Sequence, residues 1–526
     1  DDLDAELDGW LINSDNFQAL NSLNEKFGGK IKCTYIDPPF NSEKSKTVYI
    51  NSWEEAPWLT LIENRIEVGK QFLIPKKGVL IAAIDKNEQE VFGLLLKKLF
   101  PDYRTDCLTV IHNPKGTQTG GAFAFTHENS YVVYPNGLKF SKHKDPRLDN
   151  RKQIPINKWF ESKAELIVHG TENGKHMMRS PTGKTFYGIQ IKDDKIIGMK
   201  TVDANFHPKK KLEKLKDGSF ILWPIDDVGE REWSLKPETL KERITNFGHE
   251  YFKIKKDASG DPDGIYRAQT AQEWKTVWGS TGKKEDGRYD AGTYGTKLLR
   301  GNMGLSLPNE TNLFPKSVWT VYDSLHSVIK NDQEAYVLDY FGGGGTTAHA
   351  TMLLNKKDDG KRKFILVEQG EYFESIILPR VKKSAFAVNV KNSEDGTKNS
   401  WKNGKPENDD GIGIFVKYFK FEQYEQVLSR TNLYTKKKPP KFTKAKDYAK
   451  YIFKNDEKNL PEKTQITLEK KDLESIYEKI DLAETLSCVK GKMIKKIGEK
   501  EVTFDDNEKI KFTKIDFKDI KEIIWW

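Results

Sequence analysis

The residues Asp37-Pro38-Pro39-Phe40 put a carboxylate, a backbone carbonyl and an aromatic face into one short stretch. They follow Ile31-Lys32-Cys33-Thr34-Tyr35-Ile36, an apolar run that reads as a buried strand. The acid therefore falls where a strand ends and the chain turns. Consecutive prolines have fixed φ and no N–H, which stiffens the turn and leaves the Pro38 carbonyl without a neighbouring amide to pair with. Such a set suits an exocyclic amino group on a flat base. The two acceptors take its two hydrogens, and the ring stacks on the base. A rigid turn with an Asp cap is the alternative reading of the same residues.

A second grouping stands far downstream. Ala335-Tyr336-Val337-Leu338 reads as a strand closed by Asp339-Tyr340-Phe341. Gly342-Gly343-Gly344-Gly345 then turns the chain, and Thr346-Thr347-Ala348-His349-Ala350 opens a helix. Strand, glycine turn and helix is the layout that brings backbone close to a nucleotide-like ligand at a helix N-terminus. A flexible linker is the other source of a glycine cluster, and the flanking strand and helix formers count against it. No Gly-Lys-Ser/Thr ending is present, which argues against a P-loop and a nucleotide-driven motor. His349 reads as a helix residue facing the loop, not as a catalyst. No His/Cys/Asp cluster has ligand spacing, so no metal site is assigned.

Together these motifs resemble the S-adenosylmethionine-dependent amino-methyltransferases that act on DNA. The order, catalytic motif first and cofactor motif last, is similar to their β class. Leu11-Ile12-Asn13-Ser14-Asp15-Asn16-Phe17-Gln18-Ala19-Leu20 resembles the segment preceding the catalytic motif in modification (Mod) subunits of type III restriction–modification systems. Tyr294-Gly295-Thr296-Lys297-Leu298-Leu299 and Phe314-Pro315-Lys316-Ser317 resemble the segment before their cofactor loop. Arg362-Lys363-Phe364-Ile365-Leu366-Val367-Glu368 and Gly370-Glu371-Tyr372-Phe373 resemble the stretch after it. The family usually carries Tyr where Phe40 stands and Ala-Gly-Ser-Gly where Gly342 to Gly345 stand. Phe keeps the stacking face, and the extra glycines keep the loop permissive.

The resemblance implies a residue-by-residue site. Asp37 and the Pro38 carbonyl would accept the two amino hydrogens, Pro39 would stiffen the turn, and Phe40 would stack on a base flipped out of the duplex. Phe341, Gly343 and Gly345 match the family's Phe-x-Gly-x-Gly positions around S-adenosyl-L-methionine. Asp339 would meet the methionyl ammonium, and Glu368 the ribose hydroxyls. Asp15 matches a residue near the cofactor adenine, although an N-cap of the following helix is an equal reading. Lys316 and Ser317 match the segment lining the methionine end. The implied activity is methylation of the 6-amino group of adenine. Ser in place of Asp37 is more usual in enzymes of the cytosine 4-amino group. A solitary methyltransferase and a non-catalytic DNA-recognition subunit are the other readings. Implied partners are double-stranded DNA, a second copy in a homodimer and a separate nuclease–helicase subunit.

These residues need a fold that spaces them. The helix and strand signals alternate from Trp10 to Pro135: helices over 17–27, 58–73 and 89–100, a buried strand over 78–85 and a β-like run over 126–134. Such βαβ grammar predicts an α/β fold, a Rossmann-like, largely parallel sheet. The polar loop 113–121 is expected to border a substrate. From about Gly137 to Thr276 the chain turns Lys-, Asp-, Gly- and Trp-rich, with short β-like pieces at 185–191 and 219–225, a helix at 236–247 and Lys209-Lys210-Lys211 among aromatics. A solvated insertion explains that composition; its position resembles a target-recognition region. The grammar resumes after Val277, with a helix expected over 314–330. The expected layout is therefore a methyltransferase domain split into 1–136 and 277–400, a recognition domain at 137–276, and a small α+β accessory module at 401–526. Lys436-Lys437-Lys438-Pro439-Pro440 marks a linker within that tail.

Bulk properties agree with several domains in 526 residues. Lys plus Arg exceeds Asp plus Glu by 87 to 78, a net charge of +9 that permits a polyanionic partner without demanding one. Cys33, Cys107 and Cys488 are too few and scattered for a disulfide framework. No long apolar run predicts a membrane span and no signal pattern stands at the start, so a reducing cytoplasm is the expected compartment. The sequence opens on Asp1-Asp2-Leu3 rather than Met, as expected of a chain whose native start lies upstream.

Overall fold

The computed structural model describes residues 2–40, 55–116, 123–141, 185–225, 229–233, 235–267, 274–279, 284–307, 313–392, 397–421 and 480–516. Short pieces at 165–166, 171–172, 175–176, 467–468 and 470 are also described. Part of the loop 113–121, the basic linker at 436–440 and the chain end at 523–526 lie outside the described residues.

Nine strands form the central sheet: β1 (Gly9–Asn13), β2 (Ile31–Ile36), β3 (Val79–Ile84), β4 (Tyr103–Val110), β5 (Glu128–Pro135), β6 (Val277–Trp278), β7 (Tyr336–Asp339), β8 (Lys363–Glu368) and β9 (Val416–Lys420). Their spatial order is β6-β4-β5-β3-β2-β7-β8-β1-β9. All neighbours pair in parallel except β5, which runs antiparallel to both β3 and β4. Parallel strands buried on both faces need near-continuous apolar runs, and Val79-Leu80-Ile81-Ala82-Ala83-Ile84 is buried throughout.

The helices around this sheet are α1 (Asn16–Phe27), α2 (Glu55–Lys70), α3 (Gln89–Leu99), α4 (Val318–Ile329), α5 (Thr346–Asp358), α6 (Ile377–Phe386) and α7 (Leu482–Lys490). Two apolar clusters cover the sheet. One gathers Trp10, Leu20, Phe27, Trp58, Ile62 and Phe92, and the other gathers Leu11, Tyr35, Trp319, Leu325 and Phe364. Alternate residues Trp10 and Leu11 enter opposite clusters, as the two-residue period of a strand requires. Among the described residues no helix is long and apolar enough to cross a membrane.

The chain divides into two compact units, one of residues Asp1–Ser141 with Trp274–Trp526, the other Lys142–Glu273. The accessory module expected from residue 401 begins within the first unit. β9 extends the sheet beside β1, and residues of the tail belong to the first unit. A buried ion network helps tie it there: Lys26 of α1 meets Asp4 at 2.9 Å and Glu484 of α7 at 2.8 Å. The second unit has its own core of Tyr187, Ile189, Trp233, Tyr251 and Ile265. An antiparallel sheet there runs in the order Lys195–Thr201, Tyr187–Lys192, Phe220–Leu222, Leu212–Lys214, with a helix at Pro237–Phe247.

Candidate active site at the carboxyl edge of the sheet

The two halves of the first unit meet where β2 pairs with β7, Thr34 opposite Leu338. That register brings Asp37, just past β2, beside Asp339 at the end of β7. Next in the row β7 pairs with β8, and β8 with β1, where Glu368 lies opposite Asn13. The Ser14 N–H donates to the Glu368 carbonyl at 3.1 Å, which sets Asp15 at the same edge. In open α/β sheets ligands bind at the carboxyl ends of strands where the strand order reverses. The sequence motifs therefore converge on one edge because the topology joins strands from opposite ends of the chain.

The Asp-Pro-Pro-Phe turn is held from outside. The Trp58 indole N–H donates to the Pro39 carbonyl at 2.8 Å. Among the described residues no backbone donor reaches the Pro38 carbonyl. The Asp37 side chain keeps 27% exposure, so its carboxylate has a path out of the protein. Burial pushes its pKa up, the Lys316 ammonium at 3.3 Å pulls it down, and Glu128 pushes it up again, to about 6. Lys316 also contacts Glu128 and lies 4.5 Å from the centre of the Phe40 ring. It arrives there because residue 295 is glycine. A Cβ at Gly295 would stand 2.1 Å from the Pro315 carbonyl oxygen, so any side chain would push away the turn carrying Lys316. Ser317 faces elsewhere. It caps α4, accepting the Trp319 N–H at 3.2 Å and donating to the Arg288 carbonyl at 2.6 Å.

The glycine loop is tied to its acids. Asp339 accepts the Phe341 N–H at 3.1 Å and the Thr347 hydroxyl at 2.6 Å. Burial nonetheless raises its pKa to about 7. Glu368 accepts the Gly343 and Gly370 N–H groups, both at 2.8 Å, and burial also raises it. Gly343 has φ of 51° and Gly345 of 73°, a region that glycine enters at little cost. A Cβ on Gly343 would find only the Phe341 carbonyl within reach, at 3.7 Å. The loop thus presents an open cradle beside acids suited to an ammonium and to hydroxyl donors. Each carboxylate oxygen has lone pairs beyond those the loop uses.

Asp15 is the N-cap of α1, accepting the Phe17 and Gln18 amides at 2.9 and 3.3 Å. Its second oxygen lies 3.5 Å from Arg65. The capping reading of that residue is therefore realised, at a position that also faces the edge. His349 is buried, with Nε2 against the Val388 carbonyl at 2.9 Å. Burial drives its pKa down to about 3; it is a neutral packing residue.

Three residues have roles that the sequence reading did not assign. Glu128 opens the apolar strand β5, and an acid in that place is the one local signal. Gly342 packs so tightly that a Cβ would meet Leu366 at 2.5 Å. Arg380 of α6, fully buried, donates from Nη1 to the Gly344 carbonyl and the Thr346 hydroxyl, each at 2.8 Å. A lone Arg in an apolar helix stripe was its only trace. Among the described residues no cluster of acids, histidines or cysteines could hold a metal ion.

A sheet with an acid–proline turn beside a glycine cradle defines a class, and comparison places the chain in it. Residues 31–379 match the family described as DNA methylase, and the chain belongs to that family. Among curated relatives, the EcoPI Mod subunit of a type III restriction-modification enzyme from Escherichia phage P1 is 25% identical, over 69% of this chain and 57% of the relative. The EcoP15I Mod subunit from Escherichia coli is 23% identical, over 69% and 58%. The type II methyltransferase M.KpnI from Klebsiella pneumoniae is 22% identical, over 67% and 79%. The match thus spans little more than half the length of these type III relatives. Among solved structures, the M1.HpyAVI–SAM complex is 12% identical with a TM-score of 0.28, covering 71% of this chain and 98% of that one.

Proposed function

We propose that the chain is a site-specific DNA methyltransferase that moves a methyl group from S-adenosylmethionine to the 6-amino group of adenine in double-stranded DNA. It would serve as the modification and recognition subunit of a type III restriction–modification system. The observation that carries the reading is the β2–β7 pairing, which sets Asp37 beside the glycine loop. The type III assignment draws on the Mod relatives, and adenine on Asp37 itself.

Gly343, Gly345, Asp339 and Glu368 would hold the cofactor, with Asp15, Phe341 and Lys316 bordering it and Ser317 fixing the turn that carries Lys316. When bound, S-adenosylmethionine supplies an electrophilic methyl group whose C–S bonding pair stays on sulfur. The chain's own residues prepare the acceptor. An aromatic amine is a poor nucleophile because its lone pair is delocalised into the ring. Asp37 and the Pro38 carbonyl accept its two hydrogens and favour tetrahedral nitrogen, freeing the pair. Phe40 stacks on the base and fixes its plane. As nitrogen gains positive charge the Asp37 carboxylate stabilises it and takes the proton that must leave. Such positioning supplies several kcal/mol, on the order of what other enzymes gain from it.

The test is methyl transfer to duplex DNA from tritiated S-adenosylmethionine, followed by nucleoside chromatography. N6-methyladenine is expected. N4-methylcytosine would move the substrate to the other base, and DNA binding without incorporation would leave a recognition subunit only.

A further inference from the structure

We propose that Glu128 is a positioning residue for this reaction: it holds the Lys316 ammonium between two carboxylates and so sets the charge on Asp37. The inference rests on the reading of Asp37 as the acid that faces the amine. Its basis is geometric. β5 runs antiparallel to β3, with Asn129 opposite Ile84. An antiparallel strand presents its first residue at the edge where its parallel neighbours present their last. Glu128 therefore reaches the same edge as Asp37 although it begins its strand. Between them stands Lys316, whose side chain is only 9% exposed. It contacts Glu128, lies 3.3 Å from Asp37, and sits over Phe40.

One buried cation thus serves two acids, and the tighter contact goes to Glu128. That division has a chemical consequence. A carboxylate fully neutralised by a lysine accepts hydrogen bonds weakly and takes a proton poorly. One left without a cation in a buried site holds its own proton to higher pH and cannot take one from the amine until it is lost. Sharing leaves Asp37 ionised at neutral pH yet basic. The other groups around it do not supply this control. The Tyr35 hydroxyl is held neutral by burial, and Asp339, pushed up to about 7 by burial at the end of β7, is only partly charged near neutral pH. Asp85 interacts with Lys316 from the end of β3. His112, past β4, lies 4.0 Å from Glu128 and is pushed by burial toward its neutral form. Lys316 also steadies the Phe40 ring, so the same clamp sets both the acid and the stacking face.

The experiment measures kcat/KM for duplex DNA against pH at saturating S-adenosylmethionine. It compares wild type with Glu128→Gln, Lys316→Met, Lys316→Arg and Asp37→Asn, and cofactor affinity is titrated for each. Glu128→Gln removes a negative charge and frees Lys316 for Asp37, so the acidic limb moves down by about one pH unit. Lys316→Met removes the shared cation, so the limb moves up by a similar amount and activity at pH 7 drops about twofold, and about tenfold at pH 5. Lys316→Arg keeps the limb near its wild-type place. Opposite shifts are the signature, because a merely structural role lowers activity at every pH and moves no limb. Limbs that stay put, or move the same way, overturn the proposal while an inactive Asp37→Asn leaves the proposed function standing. An active Asp37→Asn takes Asp37 out of the chemistry and overturns this inference, while methylated DNA would still support the proposed activity. Should Glu128→Gln not fold, Glu128→Asp draws the acid back from Lys316 and must shift the limb downward, by less.

Discussion

Asp37 and the glycines beside it face different tests. Asp37→Ala should lower methyl transfer by about 10²–10⁴-fold, the usual contribution of a positioned proton acceptor. Fold and cofactor affinity should hold, because Asp37 ends a strand at the surface of the site. Near-normal turnover of tritium into DNA would remove it from the chemistry. With its pKa pushed to about 6, Asp37 must lose its proton to accept from the amine. kcat/KM should therefore rise as pH increases through about 6 and level off above. A profile flat down to pH 5 would contradict this. The glycines separate ligand from fold. At Gly343 a Cβ points into open space at φ of 51°, so Gly343→Ala should cost about 1 kcal/mol in stability through strain. It should still abolish cofactor binding, since the added methyl fills the cradle. Gly342→Ala instead drives a methyl into Leu366 and should act on melting temperature first. Calorimetric titration and thermal melts distinguish the two, and unaltered affinity in Gly343→Ala would show that the loop serves another purpose.

At the scale of elements, much of the fold was legible because it is local. The strand at Ile31–Ile36 and the helices at 17–27, 89–100 and 236–247 carry their own periodicity and lie within a few residues of their observed bounds. The helix expected over 314–330 starts only at Val318, because Pro315 and the Ser317 cap delay it. What remained hidden depends on pairing across the chain. Strand direction is not written in hydrophobicity, so nothing marked β5 as antiparallel. Lys316 and Glu128 stand 188 residues apart, and no spacing rule joins them. The place of the tail depends on pairing of the same kind. Its charged, alternating sequence suggested a separate module, whereas Lys26 holds Glu484 and Asp4 inside the first unit. Lys26→Met would strand two buried acids without that partner. Breaking a buried ion network in this way typically costs about 3–5 kcal/mol, and Lys417, at 2.5 Å from both acids, recovers only part of it. Chemical denaturation should show the loss. A stability within about 0.5 kcal/mol of wild type, the range of ordinary surface substitutions, would mean that the network contributes nothing.

At the scale of the whole molecule the chain is divided into two units, and under the proposed function that division would separate catalysis from reading of DNA. The motifs Asp37, Phe341 and Glu368 lie in the first unit, and residues Lys142–Glu273 form the second. The second unit has a core of its own, so its surface can vary without disturbing the site. That surface carries lysines over a buried aromatic core. Lys209 and Lys210 are exposed, and Lys200 lies 5.6 Å from the Phe206 ring and 5.7 Å from that of Trp223. Not every lysine there is available, since Lys211 and Lys255 both hold Asp263, at 2.6 and 3.1 Å. Free lysines contact phosphates and fix register, whereas base edges carry sequence. Two outcomes follow if this unit reads DNA. Exchanging residues 142–273 for the corresponding unit of a relative should change which sites become methylated while turnover persists, as sequencing of modified bases would record. Lys209→Ala with Lys210→Ala should instead weaken binding to all sequences alike and lower the slope of log affinity against log salt by about two, close to one per lost phosphate contact. A chimera that keeps its original site would take sequence recognition away from this unit. An unchanged salt slope would take the two lysines off the DNA.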